Sequence, residues 1–406
     1  MKKSLLAVAA MTAFAGAAQA QSSVTVYGLL DVGYTGGNAR AQTSSTVVKE
    51  SVSRISNSME SGSRLGFRGN EDLGGGTSAI FTFELGIQPA GNAGSNTTGL
   101  GTAAVTAGTA TWAPNVRQAF VGFEKKGMGN ARIGTQNTLF WEQAGSNTTG
   151  QLAQTYGSML APSTDGAFFT SSSNATSAGS TSAAYTARTT NTVRVATERM
   201  AGLIGKAAYT QSNSNSTAAG TAGYIGAENT QTGYQFALDY VFQKANIQAS
   251  YASFSSDNPY NSTTLTTTNT VYWGSGTQGN NVKDNQALIT ASYDFGILKA
   301  YAGWTNRKVE SSLNSNAFIK RTAQEVGVRS FITPTIEGWA SIGNGRFSAF
   351  GTDQPTANIA GYQAGANYWL SKRTNLYAIY GQNNTSSTSN GAYNLQQYSI
   401  GARHTF

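Results

Sequence analysis

Residues 287–304 read ALITASYDFGILKAYAGW. Ala287, Ile289, Ala291, Tyr293 and Phe295 occupy every second position, with Leu288, Thr290, Ser292 and Asp294 between them. After Gly296 the alternation resumes at Leu298, Ala300, Ala302 and Trp304. Successive side chains of a strand point to opposite faces, so a period of two describes a ribbon with one apolar face. Two such ribbons around a glycine form a hairpin. The design recurs in YQFALDYVFQKANIQASYASF (234–254), which turns at Lys244-Ala245, and in QAGANYWLSKRTNLYAIYG (363–381), which turns at Ser371-Lys372-Arg373. Strands of roughly 9 to 11 residues are the length a tilted transmembrane strand needs.

Seven hairpins of this kind follow one another, with short turns near Glu71 to Gly76, Lys125 to Asn130, Arg199 to Gly202, Lys244, Gly296, Pro334 and Lys372. A lone strand, SVTVYGLLDVGY from Ser23, precedes them, and another, Gln396 to Phe406, follows. The total is sixteen, an even number that lets the first and last strands pair antiparallel. Between hairpins lie segments of another texture, such as GNAGSNTTGLGTAAVTAGTATWAPN (91–115) and QSNSNSTAAGTAGYIGAENTQ (211–231), rich in Ser, Thr, Asn, Gly and Ala. Linkers between domains have this composition too, but linkers would not recur after every second strand. Short turns on one side and long polar loops on the other describe a single transmembrane barrel. In hydrocarbon every backbone donor and acceptor needs a partner, and the chain has no apolar stretch of helix length beyond its first twenty residues; closing the sheet is the remaining solution. The fold class expected is all-β, a 16-stranded antiparallel barrel.

The opening MKKSLLAVAAMTAFAGAAQA has Lys2 and Lys3, an apolar run from Leu5 to about Ala15, and small residues ending at Ala20. That is the layout of a secretory signal peptide, so residues 1–20 are expected to be cleaved and 21–406 to form one barrel domain. Removing Lys2 and Lys3 leaves 25 of the 27 basic residues against 19 acidic ones. The chain has no cysteine, so an exported product holds itself without disulfides. Only 39% of residues are hydrophobic and 11% charged, too few for a large dry interior, yet 19 Tyr, 18 Phe and 6 Trp argue against disorder. Much aromatic and little aliphatic residue suits a thin sheet with one greasy face.

SVTVYGLLDVGY, SRLGFRGNEDLGGG from Ser63, NVRQAFVGF from Asn115, YWLSKRTNLYAIYG from Tyr368 and the terminal SIGARHTF resemble, in order along the chain, the general porins of Gram-negative outer membranes, the β-proteobacterial branch in particular. The resemblance implies a trimeric barrel that passes small hydrophilic solutes, with its third long loop folded into the lumen as a constriction. Here that loop is roughly Thr138 to Thr186, and its carboxylates are Glu142 and Asp165. A loop of that length in a compact structure calls for a functional explanation.

The wall facing the loop should be basic. In SRLGFRG, Leu65 and Phe67 point one way, so Arg64 and Arg68 point toward water. In VRQAFVGF, Gln118 and Phe120 share a face, leaving Arg117 with Ala119 on the lumen face, although Val121 and Phe123 have the same parity. Family members carry wall arginines at positions matching Arg64 and Arg117, and a third in a stretch like RTTNTV, which implies Arg188. Arg132 and Arg194 are secondary candidates. Three departures from the family affect pore size and selectivity: Ile133-Gly134-Thr135-Gln136 has Thr where many relatives have arginine, no Pro-Glu-Phe-Gly-Gly tract follows Trp141, and ATERM follows Arg194. Arginines on one side and Glu142 and Asp165 on the other would set a transverse field across a narrow aqueous gap, with a mild preference for anions.

Other chemistry finds little support. One histidine, His404, two residues from the end and on the membrane face by parity, and no cysteine leave neither a catalytic base nor a transition-metal cluster, so no enzyme activity and no cofactor are expected. EDLGGG and KKGMGN lack the Lys-Ser or Lys-Thr of a phosphate loop and read as turns. Basic residues are too dispersed for nucleic acid. A plugged adhesin or structural barrel and a solute-specific channel remain alternatives. Expected partners are outer-membrane lipid and lipopolysaccharide, two further copies of the chain, and the outer-membrane assembly machinery. In QYSIGARHTF, Tyr398, Ile400, Ala402, His404 and Phe406 should face lipid and Ser399, Gly401, Arg403 and Thr405 the pore; Phe406 is an interfacial anchor and, by the resemblance, the assembly signal.

Overall fold

The computed structural model describes residues 23–42, 47–57, 59–90, 115–151, 153, 157–161, 187–216, 227–257, 281–312, 315–316, 318–350, 356–387 and 393–406. The proposed signal segment 1–20 and Asp165 lie outside them. One antiparallel sheet contains every strand: β1 (Ser23–Gln42), β2 (Val47–Asn57), β3 (Arg64–Gly74), β4 (Thr77–Gly86), β5 (Asn115–Lys125), β6 (Gly129–Asn137), β7 (Arg188–Thr197), β8 (Leu203–Ser216), β9 (Ala227–Phe242), β10 (Ala245–Asp257), β11 (Asn281–Asp294), β12 (Lys299–Ser311), β13 (Phe318–Phe331), β14 (Ile336–Phe350), β15 (Ala357–Trp369), β16 (Thr374–Ser387) and β17 (Tyr393–Thr405). A short helix, α1 (Leu139–Ser146), separates β6 from β7.

The second stave of the barrel is built from two strands. β2 pairs with the upper part of β1, Val32 to Gln42, and β3 with the lower part, Ser23 to Leu29. Counted as staves, the seventeen strands make the expected closed barrel of sixteen. All seven expected hairpin turns fall between paired strands. Gly296 takes φ +91°, which an L side chain resists, and Asp294 Oδ1 accepts the Gly296 N–H at 2.7 Å.

Burial follows the alternation, but inverted relative to a soluble protein. On β9, Tyr234, Phe236, Leu238 and Tyr240 are exposed while Gln235, Ala237 and Asp239 between them are buried. An outer face of this kind is stable only in an apolar solvent, and the polar residues belong to the interior of the barrel. β17 follows the expected parity: Tyr398, Ile400, Ala402, His404 and Phe406 are exposed, and Ser399 is buried. His404 accordingly stands on the outer face, its Nδ1 2.9 Å from Thr374 Oγ1.

The closing seam is offset from the simplest expectation. β17 pairs with Leu29 to Ala41 of β1, not with Ser23 to Tyr34, because barrel strands tilt and their register must stagger to close. Below that register the seam ends in two reciprocal backbone hydrogen bonds, Gly28 N–H to Phe406 O and Phe406 N–H to Gly28 O, both 3.1 Å. The Phe406 ring lies against Gly28, where a Cβ would meet the ring at 2.3 Å and the Arg64 carbonyl at 2.7 Å.

Two bulges re-aim side chains. Between β4 and β5 the register moves from Glu84↔Gln118 to Leu85↔Val116, leaving Arg117 as the extra residue. Between β6 and β7 it slips from Gly134↔Thr192 to Gln136↔Thr189, and Asn191 in the slip takes φ +51°. The first corrects the parity read for β5. Val121 and Phe123 point outward, 59% and 60% exposed, while Phe120 is buried inside the barrel; Arg117 shares their parity in sequence but is turned inward by the bulge.

Replacing Gly28 with Val should weaken the seam by about 1–3 kcal/mol through overpacking against Phe406 and the Arg64 carbonyl. Urea titration of the folded barrel checks this; an unchanged midpoint would remove the close approach from the account of closure.

Candidate pore constriction

Thr138 caps α1, its Oγ1 accepting the Trp141 N–H at 3.1 Å, and Asn147 ends it with an N–H to the Gln143 carbonyl at 3.0 Å. The helix lies against inward-facing side chains. The Leu139 N–H donates to Gln235 Oε1 at 2.9 Å, and Gln143 Nε2 donates to Asp239 Oδ1 at 2.8 Å. Asn147 Nδ2 reaches the Asn246 carbonyl at 3.1 Å, and Ser292 Oγ donates to Asn147 Oδ1 at 2.6 Å. Further along, Arg329 donates to the Thr149 carbonyl at 2.7 Å, Glu325 accepts the Met159 N–H at 2.6 Å, and Arg321 donates to the Met159 carbonyl at 2.9 Å. Phe140, Ala144 and Leu160 pack on Leu288, and Met159 packs among Val309, Ile319 and Phe347. The described part of the third loop therefore lies within the barrel, fastened across the inner wall from β9 to β14.

A second inward segment joins it. Between β2 and β3 the chain bends into the lumen, where Asp31 accepts the N–H groups of Glu60 (2.9 Å) and Ser61 (2.7 Å) and the Tyr377 hydroxyl (2.6 Å). The Glu60 carboxylate accepts from Asn367 and Asn375, each at 2.9 Å, and lies 3.5 Å from Arg403. Met59 packs with Ala153 of the third loop, Trp339 and Tyr377. No feature of the sequence singled out this bend, because the partners of Glu60, Asn367 and Asn375, stand 307 and 315 residues away.

The wall from β3 to β8 carries the charge. Glu84, on the inner face of β4, is 2.6 Å from Arg117 Nε and 3.7 Å from Arg64 Nε, and accepts the Tyr27 hydroxyl at 3.0 Å. Arg188 stands at the start of β7 with its guanidinium 5.6 Å from the centre of the Trp141 ring, close enough to feel Arg117, Glu84 and Arg64. Arg64 and Arg117 thus share one carboxylate, with Arg188 in the same neighbourhood. Arg188 Nε and Nη2 have no hydrogen-bond acceptor among the described residues. Glu84 was legible in principle: in IFTFELG it alternates with Phe81, Phe83 and Leu85, so its parity places it on the lumen face.

A second cluster lies beside the first. Arg194 makes a two-pronged pair with Glu142, Nη1 to Oε1 at 2.5 Å and Nη2 to Oε2 at 2.7 Å. Lys206 is 3.7 Å from Glu142 and 2.5 Å from Asp239. Arg132 stacks over the Phe120 ring at 5.0 Å. This corrects the expected disposition of Glu142: its carboxylate is engaged by Arg194 and anchors the helix to the wall instead of facing Arg64 and Arg117 across the gap. Arg68 lies apart from both clusters, exposed, four residues nearer the short turn than Arg64 and stacked on Tyr27 at 5.5 Å.

The fold is that of a closed, membrane-spanning β-barrel. Residues 7–388 match the family model described as Gram-negative porin, and the chain belongs to that family. It is 36% identical over 155 residues to an outer membrane porin protein of Bordetella pertussis, and 45% identical over 84 residues to outer membrane porin protein 32 of Delftia acidovorans. These alignments span 36% and 22% of the two relatives, and 36% and 21% of this chain. Among solved structures, an anion-selective porin from Comamonas acidovorans superposes with a TM-score of 0.62 at 19% identity, covering 95% of this chain and 100% of that one. A closed barrel of this family is a multi-pass protein of the Gram-negative outer membrane.

Arg194→Ala should free Glu142 from its main tie and loosen α1. The expected result is noisier open-channel current at unchanged fold, because the helix keeps its Gln235, Asp239 and Asn246 bonds. Single-channel recording with a heat-modifiability gel as fold control checks it; a quiet current identical to wild type would remove the pair from the anchoring of the loop.

Proposed function

We propose that the chain, after loss of residues 1–20, forms a water-filled channel for passive diffusion of ions and small hydrophilic solutes, with a mild preference for anions. The observation that carries this reading is the arginine-rich wall: Arg64, Arg117 and Arg188 around the single carboxylate of Glu84. An excess of positive charge lining an aqueous gap between low-dielectric walls raises the local concentration of anions. The guanidinium donors of Arg188 that lack an acceptor offer an anion hydrogen bonds in exchange for hydration, and such contacts must stay weak enough for release. Arg132 belongs to the same wall, while Arg194 and Glu142 hold the loop that narrows it.

The solved relative from Comamonas acidovorans is an anion-selective porin, and a related Vibrio cholerae barrel has a trimer form, which supports reading this chain as an anion-preferring homotrimer. Neither catalysis nor a cofactor enters the reading. Lipopolysaccharide and the assembly machinery, the latter reading Phe406, are the remaining partners proposed.

Purified protein in planar bilayers should give stepwise openings, in threes for a trimer, and a reversal potential of anion sign in a salt gradient. Arg64→Ala and Arg117→Ala should move that potential toward cations, and Glu84→Gln further toward anions. A silent barrel, or strong cation selectivity in the wild type, would overturn the assignment.

A further inference from the structure

The Met59–Ser63 bend is an insertion that the sheet itself does not need. β1 pairs Leu29 with Arg64 on one side of it and Val32 with Asn57 on the other, so Leu30 and Asp31 stand against the six residues 58–63. Such an excess cannot stay in the ladder, and Met59–Ser63 is turned into the lumen. Ser63 Oγ accepts the Asp31 N–H at 3.0 Å in place of a ladder partner, and Asp31 Oδ2 in turn holds the N–H groups of Glu60 and Ser61. At the far end the Gly62 carbonyl accepts from Arg64 Nη1 at 3.0 Å, and a Cβ on Gly62 would stand 3.0 Å from Arg117 Nη1. One short segment thus meets β15 to β17 through Glu60 and two wall arginines through Gly62.

The bend and the third loop line complementary parts of the lumen. The described part of the loop is fastened from β9 to β14, and the bend continues from there, with Glu60 on Asn367 of β15, Asn375 of β16 and Arg403 of β17, and its backbone on Asp31 of β1. Met59 is fully buried and joins the two, packing with Ala153 of the loop and with Trp339, Tyr377 and Ile379 of the wall. Exposure follows this division. Asn367 and Asn375, beneath the bend, are 1% and 0% exposed, whereas the Arg64 side chain keeps 29%.

We propose that the bend is a second jaw of the constriction, with Asp31 and Glu60 as its positioning residues. It closes the lumen along β15 to β17, where the third loop ends, and confines solutes to the side of Arg64 and Arg117. The inference rests on the channel reading above and adds what keeps that channel to the arginine wall. Without the jaw, water would have a second path past Asn367 and Asn375, whose carboxamides carry no charge to sort ions. Conductance would rise and the anion preference would be diluted.

Deleting Met59–Gly62 tests this directly. It leaves Ser58 and Ser63 opposite Asp31 and Leu30, so the stave can run unbroken, and removing an even number of residues keeps every outward side chain outward. In planar bilayers the deletion should conduct at least about 1.5-fold more than wild type, since the open cross-section sets the current. Combined with Arg403→Gln, which restores the net charge lost with Glu60, it should also bring the reversal potential in a salt gradient closer to zero. Unchanged conductance and selectivity would overturn the proposal. A second measurement needs no deletion. The chain has no cysteine, so Ile379→Cys introduces a single thiol beneath the bend. A charged, water-soluble thiol reagent should modify it at least about tenfold more slowly in the otherwise wild-type barrel than beside Met59→Ala, which uncovers it and leaves both ties in place. Equal rates would show that the bend covers nothing, whether or not the deletion variant folds. A silent wild-type barrel with a protected thiol would sink the channel reading and leave the bend as a cover, whereas a conducting wild type matched by the deletion would sink the jaw alone.

Discussion

Backbone satisfaction is the constraint from which the rest follows. A sheet in hydrocarbon cannot leave an edge, because no water is present to bond the free N–H and C=O groups. Here the requirement is met at one seam, thirteen register pairs from Leu29↔Thr405 to Ala41↔Tyr393, finished below by the reciprocal Gly28–Phe406 bonds. Once that seam closes, side chains have two destinations. One face must suit lipid, which explains the exposed Tyr234, Phe236 and Leu238, and the other can be as polar as water allows. Glycine at position 28 serves the same end, since the closing backbone bonds bring the Phe406 ring to where a side chain would stand.

A polar interior must then be filled without stranding charges. The described part of the loop after β6 is held by polar side chains on the wall from β9 onward and by apolar packing of Phe140, Met159 and Leu160. Several buried charges are matched in place: Arg307 with Asp284 at 2.7 Å, Arg329 with Glu337 at 3.0 Å, and Arg194 with Glu142. A buried pair contributes little net stability but is costly to break by removing one partner, so these contacts fix geometry more than they stabilise the fold. On the wall of β3 to β5, by contrast, two arginines, Arg64 and Arg117, lie on one acid, Glu84.

Strand number, hairpin turns and the inward parity of Arg64 were legible because alternation is a local property, and a one-residue slip would send every side chain of a strand to the wrong face. The same rule misplaced Phe120. Parity carries no information about an extra residue, and the bulge at Arg117 exchanges the faces above and below it. Arg117 reached the lumen for a reason the alternation did not contain. Glu84 was available to the same reasoning, flanked by Phe83 and Leu85, and its neighbourhood to Arg64 and Arg117 follows from the β3–β4–β5 pairing.

The amino-acid sequence by itself determined which face of each unbulged strand meets lipid, how many staves there are and that they must close, since these depend on a period of two, on turn chemistry and on the absence of any other way to satisfy the backbone. Tertiary structure decided what those faces meet. Glu142 became an anchor because Arg194 and Lys206 stand across from it, Glu60 entered the lumen because Asn367, Asn375 and Arg403 receive it, and Arg188 came to Trp141 only when the third loop lay down on the wall. Electrostatic partners in a barrel are neighbours by register and by loop path. Both are long-range quantities, and no local pattern encodes them.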